Sequence, residues 1–351
     1  MAVATIKDVA ARAGVSVMTV SRVLNGERYV SEAKRALVLA AVEALDFRRN
    51  PSARGLPGAR SYVLALVADH IAGYSGGIER GAIRRCRQEG YHLAAVAPDP
   101  EIADPAKALG RLVAGLPADG LILLPPLANN RAVLQLLTER GKPFVRVAPD
   151  DLFDLTPSVR IDEVAAAAAV MRHLMQQGHR RIGFVEGPSE HGASGRRRRG
   201  YVEALAGEGL PFEESLIRPG DFTFEAGLAA GRSLLALAEP PTAVFACNDD
   251  MALGVMSAAA QAGVAMPARL AVAGFDDIEF AREIWPPLTT IRQPTEAMGE
   301  AAAELLIARM GRGGAELPIE ARLLDYELII RGSTLAETGR GAPVDPRTTS
   351  S

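Results

Sequence analysis

Cysteine is nearly missing from this 351-residue chain: Cys86 and Cys247 are the only two, 161 positions apart. That spacing excludes a disulfide framework and a cysteine metal site, and it suits a reducing compartment. Tryptophan occurs once, at Trp285, and the five histidines (His70, His92, His173, His179, His191) are scattered. Long apolar runs are missing too. Leu121 to Ala128 is broken by Pro125-Pro126, and Ala165 to Met171 is short, against the ~20 residues a membrane span needs. Lys7, Asp8 and Arg12 interrupt the first fifteen residues, so a signal-peptide core is not seen. These absences lead us to expect a cytoplasmic protein without membrane, metal or coenzyme.

Net charge is also small, −3 from 39 Lys and Arg against 42 Asp and Glu. The sum hides an asymmetry. Residues 1–60 hold ten basic and five acidic side chains, a head of +5, which leaves −8 on the rest. A basic head on an acidic body points to a separate partner for the head.

The head reads as three short helices. Thr5 can cap the first, with Asp8 three residues on, and Ile6, Val9, Ala10 and Ala13 share a face. Gly14 ends it. Ser16 can cap a second helix that buries Val20, Val23 and Leu24, and Asn25-Gly26 ends that one. Ser31 can cap a third, with Ala33, Leu37, Ala41, Val42 and Leu45 at helical spacing. So tight a Gly-containing turn between the first two helices makes a helix-turn-helix. Residues 46–60 are rich in Arg, Pro and Gly and read as a linker.

From Ser61 the pattern becomes strand and helix in alternation. Strands are expected at Tyr62–Ala68, Tyr91–Ala97, Gly120–Leu124, Pro143–Ala148, Arg181–Glu186, Thr242–Cys247 and Leu270–Gly274. Helices are expected near 76–89, 104–116, 129–140, 162–177, 196–208, 224–238 and 250–262. This rhythm predicts an α/β fold with two doubly wound lobes and a ligand at the carboxyl ends of the strands. Residues 336–351 are polar and without periodicity, a disordered tail by composition. The tail holds no leucine heptad that would join dimers.

The stretches AGVSVMTVSRVLNG and NPSARGL, followed in order by GHRRIGFVEGP, FACNDDMALGVM, LAVAGFDDIEF and PPLTTIRQP, together resemble the lactose-repressor (LacI/GalR) family over nearly the whole chain. The resemblance implies a helix-turn-helix DNA-binding domain at 1–49 and a hinge helix or linker at 50–60. It further implies an effector-binding and dimerisation core at 61–335, like periplasmic sugar-binding proteins, ahead of the 336–351 tail. Lobe 1 would take about 61–160 and 292–322, and lobe 2 about 161–291 and 323–335. The partners implied are double-stranded operator DNA, a small-molecule effector and a second copy of the chain as homodimer. The most direct reading is a repressor of carbohydrate-utilisation genes released from a palindromic operator by a sugar. A corepressor-dependent regulator with a non-sugar effector stays open.

The second helix would enter the major groove. Val17 and Met18 match the positions that set operator choice in the family and would read a base edge or thymine methyl, while Arg22 can pair with a guanine. Thr19, Ser21 and Asn25 can bond phosphates. Thr5, Ser16 and Tyr29 complete the set on the head. Asn50, Ala53, Arg54 and Leu56 match the hinge, with Leu56 as a wedge in the minor groove. Gly55 and Pro57 disfavour helix there, so the hinge is expected to fold only on DNA.

For the effector, the family pattern points to Asp69, Tyr74, Asp162, Arg197, Phe222, Asn248, Asp276 and Gln293. Arg197 supplies a fork for hydroxyls or a carboxylate, Phe222 a ring for a sugar face, and Asp276 an acceptor for two hydroxyls. Arg196, Arg198 and Arg199 read as a solvated helix face. Asp249 and Asp250 read as helix N-caps, and Trp285 as a core or dimer residue. The loop ADHIAGYSGGIERG departs from the asparagine-proline-aromatic group common in the family. The pairs Asp249/Asp250 and Asp276/Asp277 offer carboxylates to an enzyme, but no nucleophile elbow, phosphate loop or metal spacing accompanies them. An exported solute-binding protein would need a leader and no helix-turn-helix. The expectation is a regulator, not an enzyme.

Overall fold

The computed structural model describes residues 5–24, 30–45, 47, 60–68, 73–311 and 318–335. The chain divides between Tyr62 and Val63 into two units. Asn25, Tyr29, Asn50, Ala53, Arg54, Leu56, Asp69, most of the hinge and the 336–351 tail lie outside the described residues.

The first unit holds α1 (Ile6–Ala13), α2 (Val17–Leu24) and α3 (Glu32–Ala44). Asp8 accepts from the Thr5 amide (2.7 Å) and hydroxyl (2.6 Å), fixing the start of α1. Gly14 closes it in the left-handed region at φ 64°. Ser16 Oγ accepts the Thr19 amide (3.1 Å) and starts α2. Val9, Ala10, Ala13, Val20, Val23, Val38 and Ala41 make the small core, with Leu24, Val42 and Leu45 packed against it. Two expectations for α3 fail. Ser31 makes no side-chain cap. Ala33 and Leu37 face out, and Val38 is buried instead. Leu37, Val38, Leu39, Ala40 and Ala41 are consecutive apolar residues, so periodicity alone cannot choose the face.

In the second unit, β1 (Val63–Val67), α4 (Tyr74–Gln88), β2 (His92–Val96), α5 (Pro105–Gly115), β3 (Gly120–Leu123), α6 (Arg131–Glu139), β4 (Phe144–Val147) and β5 (Ser158–Arg160) follow the expected alternation. After β5 come α7 (Glu163–Gln176), β6 (Ile182–Val185), α8 (Gly192–Gly207), β7 (Ile217–Arg218), α9 (Phe224–Leu235), β8 (Ala243–Ala246), α10 (Asp249–Gln261) and β9 (Ala271–Ala273). The chain ends through α11 (Phe280–Glu283), β10 (Thr290–Arg292), α12 (Thr295–Gly311), β11 (Ala321–Leu323) and β12 (Glu327–Ile329).

One lobe is a parallel sheet in the order β11-β5-β4-β3-β1-β2, and the other is a parallel sheet in the order β7-β6-β8-β9. An antiparallel ribbon, β10 with β12, flanks the second. Each sheet has a switch point, where neighbouring connections diverge to leave a crevice at the strands' carboxyl ends. The chain passes between lobes at 161–162, 293–294 and 324–326.

Several elements escaped the sequence reading. β5, β7, β10, β11 and β12 are two or three residues long, too short to show alternation. α12 packs against α4 and the first sheet, with Met298, Ala301, Ala302, Ala303, Leu305 and Leu306 buried over a wide arc, so no narrow amphipathic stripe marks it in the sequence. α8 starts at Gly192, four residues earlier than expected, because small and polar residues fill its first turn.

Candidate functional site

On the head, Val17 is 41% and Met18 64% exposed, two apolar side chains facing solvent at the start of α2. Neither belongs to the core of the first unit. Ser16 and Arg22 are exposed, and Thr19 and Ser21 half-buried. Ser16 Oγ and Thr19 Oγ1 are 2.9 Å apart and share a hydrogen bond. The exposed face of α2 thus carries Val17, Met18 and Arg22, the chemistry of groove reading.

In the second unit, a cavity of about 310 Å³ opens where the strands of both sheets end. Ala68 follows β1, Leu124 and Pro125 follow β3, Ala148 follows β4, Pro188 and His191 follow β6, Phe222 follows β7, Asn248 follows β8 and Asp276 follows β9. Ala148 (φ 47°), Phe222 (φ 68°) and Asp276 (φ 123°) occupy the left-handed half of backbone space, and strain of this kind is held where a site needs it. Gly187 lies against the Phe222 ring, where a Cβ would sit 2.4 Å from two of its carbons. His191 meets that ring edge-on at 5.2 Å between centroids.

Arg197 is the organising cation. It is 5% exposed, with its guanidinium carbon 3.7 Å from the centre of the Phe275 ring. It donates to the Cys247 carbonyl and to Glu163 Oε1 (3.3 Å), and lies 3.9 Å from Asp276 Oδ1. Burial works to lower its pKa, but Glu163 and Asp276 outweigh burial and raise it. Burial, helped by Asp250 and Glu163, pushes Asp276 up to about 7, although Arg197 and the Gln293 amide (2.7 Å) pull it down. Burial, and after it Glu163 and Asp276, raises the Tyr74 hydroxyl.

Five of the eight expected effector residues line this cavity: Tyr74, Arg197, Phe222, Asn248 and Asp276. Asp162 does not. It caps α7 by accepting the Ala165 amide (2.9 Å) and faces solvent, while Glu163, one residue on, lines the cavity. Gln293 is buried behind the wall and holds Asp276 without lining the cavity itself. The acids at the start of α10 also differ from expectation. Asn248 is the cap, accepting the Met251 amide at 3.0 Å. Asp249, fully buried, accepts from Thr290 Oγ1 (2.6 Å) and the Ile278 amide (2.9 Å), and Asp250 lines the cavity. Asp277 receives Arg331 (2.5 Å) and Arg292 (2.7 Å). Asp249 and Asp277 therefore brace the 274–278 turn.

The Arg196–Arg199 run is also more structured than a solvated face. Arg196 reaches Asp150 of the opposite lobe and Glu163 (3.1 Å). Arg198 pairs with Glu186 (2.7 Å) and Arg199 with Glu203 (2.6 Å). Trp285 is 79% exposed, which removes the core reading. Glu163, His191, Asp221 and Asp250 were missed because nothing in a single strand-helix unit shows that its loop meets loops from the other lobe. Among the described residues no helix is long and apolar enough to cross a membrane.

Comparison with known proteins bears on both sites. Residues 5–50 match the family model for bacterial regulatory proteins of the lacI family, and residues 171–334 match a periplasmic binding protein-like domain. The HTH-type transcriptional repressor CytR of Escherichia coli (strain K12) is 37% identical over 335 residues, 95% of this chain and 97% of CytR. A structure of the transcriptional regulator CelR in complex with cellobiose has a TM-score of 0.72 and 33% identity, covering 94% of this chain and 99% of that one. The lac repressor dimer bound to operator and the anti-inducer ONPF gives 0.80 and 26%, covering 95% and 100%.

Proposed function

The chain belongs to the lacI family of bacterial regulatory proteins, and from that premise we propose that it is a homodimeric repressor whose grip on a palindromic operator is set by a sugar bound between the lobes. Residues 1–49 read the DNA, 50–60 form the hinge and 61–335 sense the effector. The observation that carries the reading is the pairing of two surfaces on one chain. Exposed Val17, Met18 and Arg22 stand on a helix-turn-helix, and a carboxylate-rich cleft is organised around Arg197. Action on operator DNA places the protein in the cytoplasm, and no bond-making chemistry is assigned to the cleft.

The mechanism is linkage. An effector shifts the balance between lobe arrangements only by the difference in its affinity for them. Its contacts come from both lobes, Tyr74 from the first and Arg197, Phe222 and Asp276 from the second. Binding therefore favours the closed cleft, and the lobe movement alters the spacing of the paired heads on two half-sites. The complex of CelR with cellobiose supports a carbohydrate effector. A mobility shift on a palindromic operator, with and without mono- and disaccharides, tests the reading. Release by a sugar is expected, and tighter binding with the ligand would turn the repressor into a corepressor-dependent one.

A further inference from the structure

The charges around the cleft are lopsided. Glu163, Asp221, Asp250 and Asp276 line it, and Arg197 is the one guanidinium or ammonium among the described lining residues. Arg197 itself is already engaged by Glu163, Asp276 and the Cys247 carbonyl.

We propose that the cleft selects an effector without negative charge, a hydroxyl- or amine-rich small molecule, and excludes phosphorylated and carboxylated counterparts of the same scaffold. This rests on the reading of the cleft as the effector site. An anion entering it meets like charge and finds the Arg197 guanidinium already beside two carboxylates, which is discrimination by repulsion rather than by fit. A polyol or amine brings donors to a wall made mostly of acceptors.

Helix N-termini are the feature that would favour an anion, and they ring the cleft. Two of them, those of α9 and α10, carry side-chain caps, α8 has a carboxylate beside its first residue, and α4, which starts at lining residues Tyr74 and Ser75, has no side-chain cap. Asp150 sits at the start of α8, so close that a Cβ on Gly192 would be 1.8 Å from its Cγ. Asn248 accepts the Met251 amide of α10, with Asp249 and Asp250 in the first turn. Thr223 accepts the Ala226 amide of α9 (3.2 Å), and Asp221 accepts the Thr223 amide (2.9 Å) and hydroxyl (2.6 Å). The bonds from Thr223 hold the Asp221 carboxyl below its ordinary range, so it is ionised at neutral pH. Carboxylates thus stand at the starts of three of these helices, α8, α9 and α10, and add to the acids that line the cleft.

Calorimetric titration of the full-length protein with matched sugars provides the test: glucose, glucosamine, gluconate and glucose 6-phosphate, then cellobiose and cellobiose phosphate. At least one neutral or amino sugar should bind, and its phosphorylated or acid counterpart at least thirtyfold more weakly. The Asp221→Asn and Asp250→Asn variants should narrow that gap severalfold, since both keep the size of the cleft. A phosphorylated or acid sugar that binds more tightly than its neutral parent overturns the inference. So does a neutral and amino panel that gives no heat, or a gap unchanged in both variants, which would make size the cause. Operator binding is measured in parallel. If a bound neutral sugar leaves operator affinity unchanged, the regulator reading fails while the charge selection stands.

Discussion

Asp150 of the first lobe forms an ion pair across the cleft with Arg196 of the second, and Glu163 joins that pair to Arg197. The loop bearing Asp150 is held from both sides. The Asp150 amide donates to Asn129 Oδ1 (2.8 Å), and the fully buried Arg146 donates to the Asp151 and Leu152 carbonyls. Glu163 thus links Arg197, which organises the cavity, to the ion pair that joins the lobes.

This link makes the Asp150–Arg196 pair a determinant of lobe closure. Both partners are about a quarter exposed, so the pair contributes on the order of 1 kcal/mol. Arg196→Leu should weaken effector binding by roughly fivefold, because 1.4 kcal/mol is a factor of about ten, and leave operator affinity without effector within about twofold. Gly192→Ala should act in the same direction, since the new Cβ collides with the Asp150 carboxylate. Calorimetry and operator titration on the same preparations check both.

Loss of Arg197 should be more severe. Its removal leaves Asp276 without a cation beside it and Glu163 with Arg196 alone, which costs on the order of 3 kcal/mol of core stability. Arg197→Ala should lower the denaturation midpoint and abolish the effector response. The head, a separate unit, should still bind operator in protein that remains folded. Equal loss of operator binding in folded variant protein would contradict this.

Asp276 gives a pH dependence. Its carboxyl rises from 3.8 to about 7 on folding. Below about pH 4 both states hold the proton. As pH rises from about 4 to about 7 the unfolded state releases it first, so the stability associated with this group is lost across that window. The difference in stability between wild type and Asp276→Asn should therefore change with pH between 4 and 7 and level off above. Effector affinity should rise between pH 6 and 8 as the carboxylate forms, and stay flat in Asp276→Asn.

On the head, Met18→Arg or Val17→Thr should change which bases an operator must carry, with discrimination of about 1–3 kcal/mol per altered position. Arg22→Ala should weaken operator binding at least tenfold. Neither should alter sugar binding by the core. Selection from randomised half-sites reads the first effect and fluorescence anisotropy the second.

How much of this was legible in the sequence follows from range. Capping by Thr5 and Ser16, the turn at Gly14 and the outward face of Val17 and Met18 are decided within a few residues, and local pattern found them. The long strands were legible because burial on both faces leaves continuous apolar runs. Arg197 and Asp276 came from a family pattern. Their wiring through Glu163 and Gln293 did not, because it joins residues 163, 197, 276 and 293 that only the folded crossing brings together. Asp162 was mistaken for its neighbour because a helix cap and a cavity residue stand side by side at one strand-to-helix turn.

The central claim is that one chain couples a DNA-reading head to a sugar-sensing cleft. Operator titration by fluorescence anisotropy tests it most directly, using full-length protein and a chain lacking residues 1–60, each with and without a bound neutral sugar. The account predicts salt-sensitive operator binding by the full chain, a change of at least tenfold on adding the sugar, and no binding by the shortened chain. Operator affinity that survives the deletion, or that ignores a sugar calorimetry shows to be bound, would contradict it.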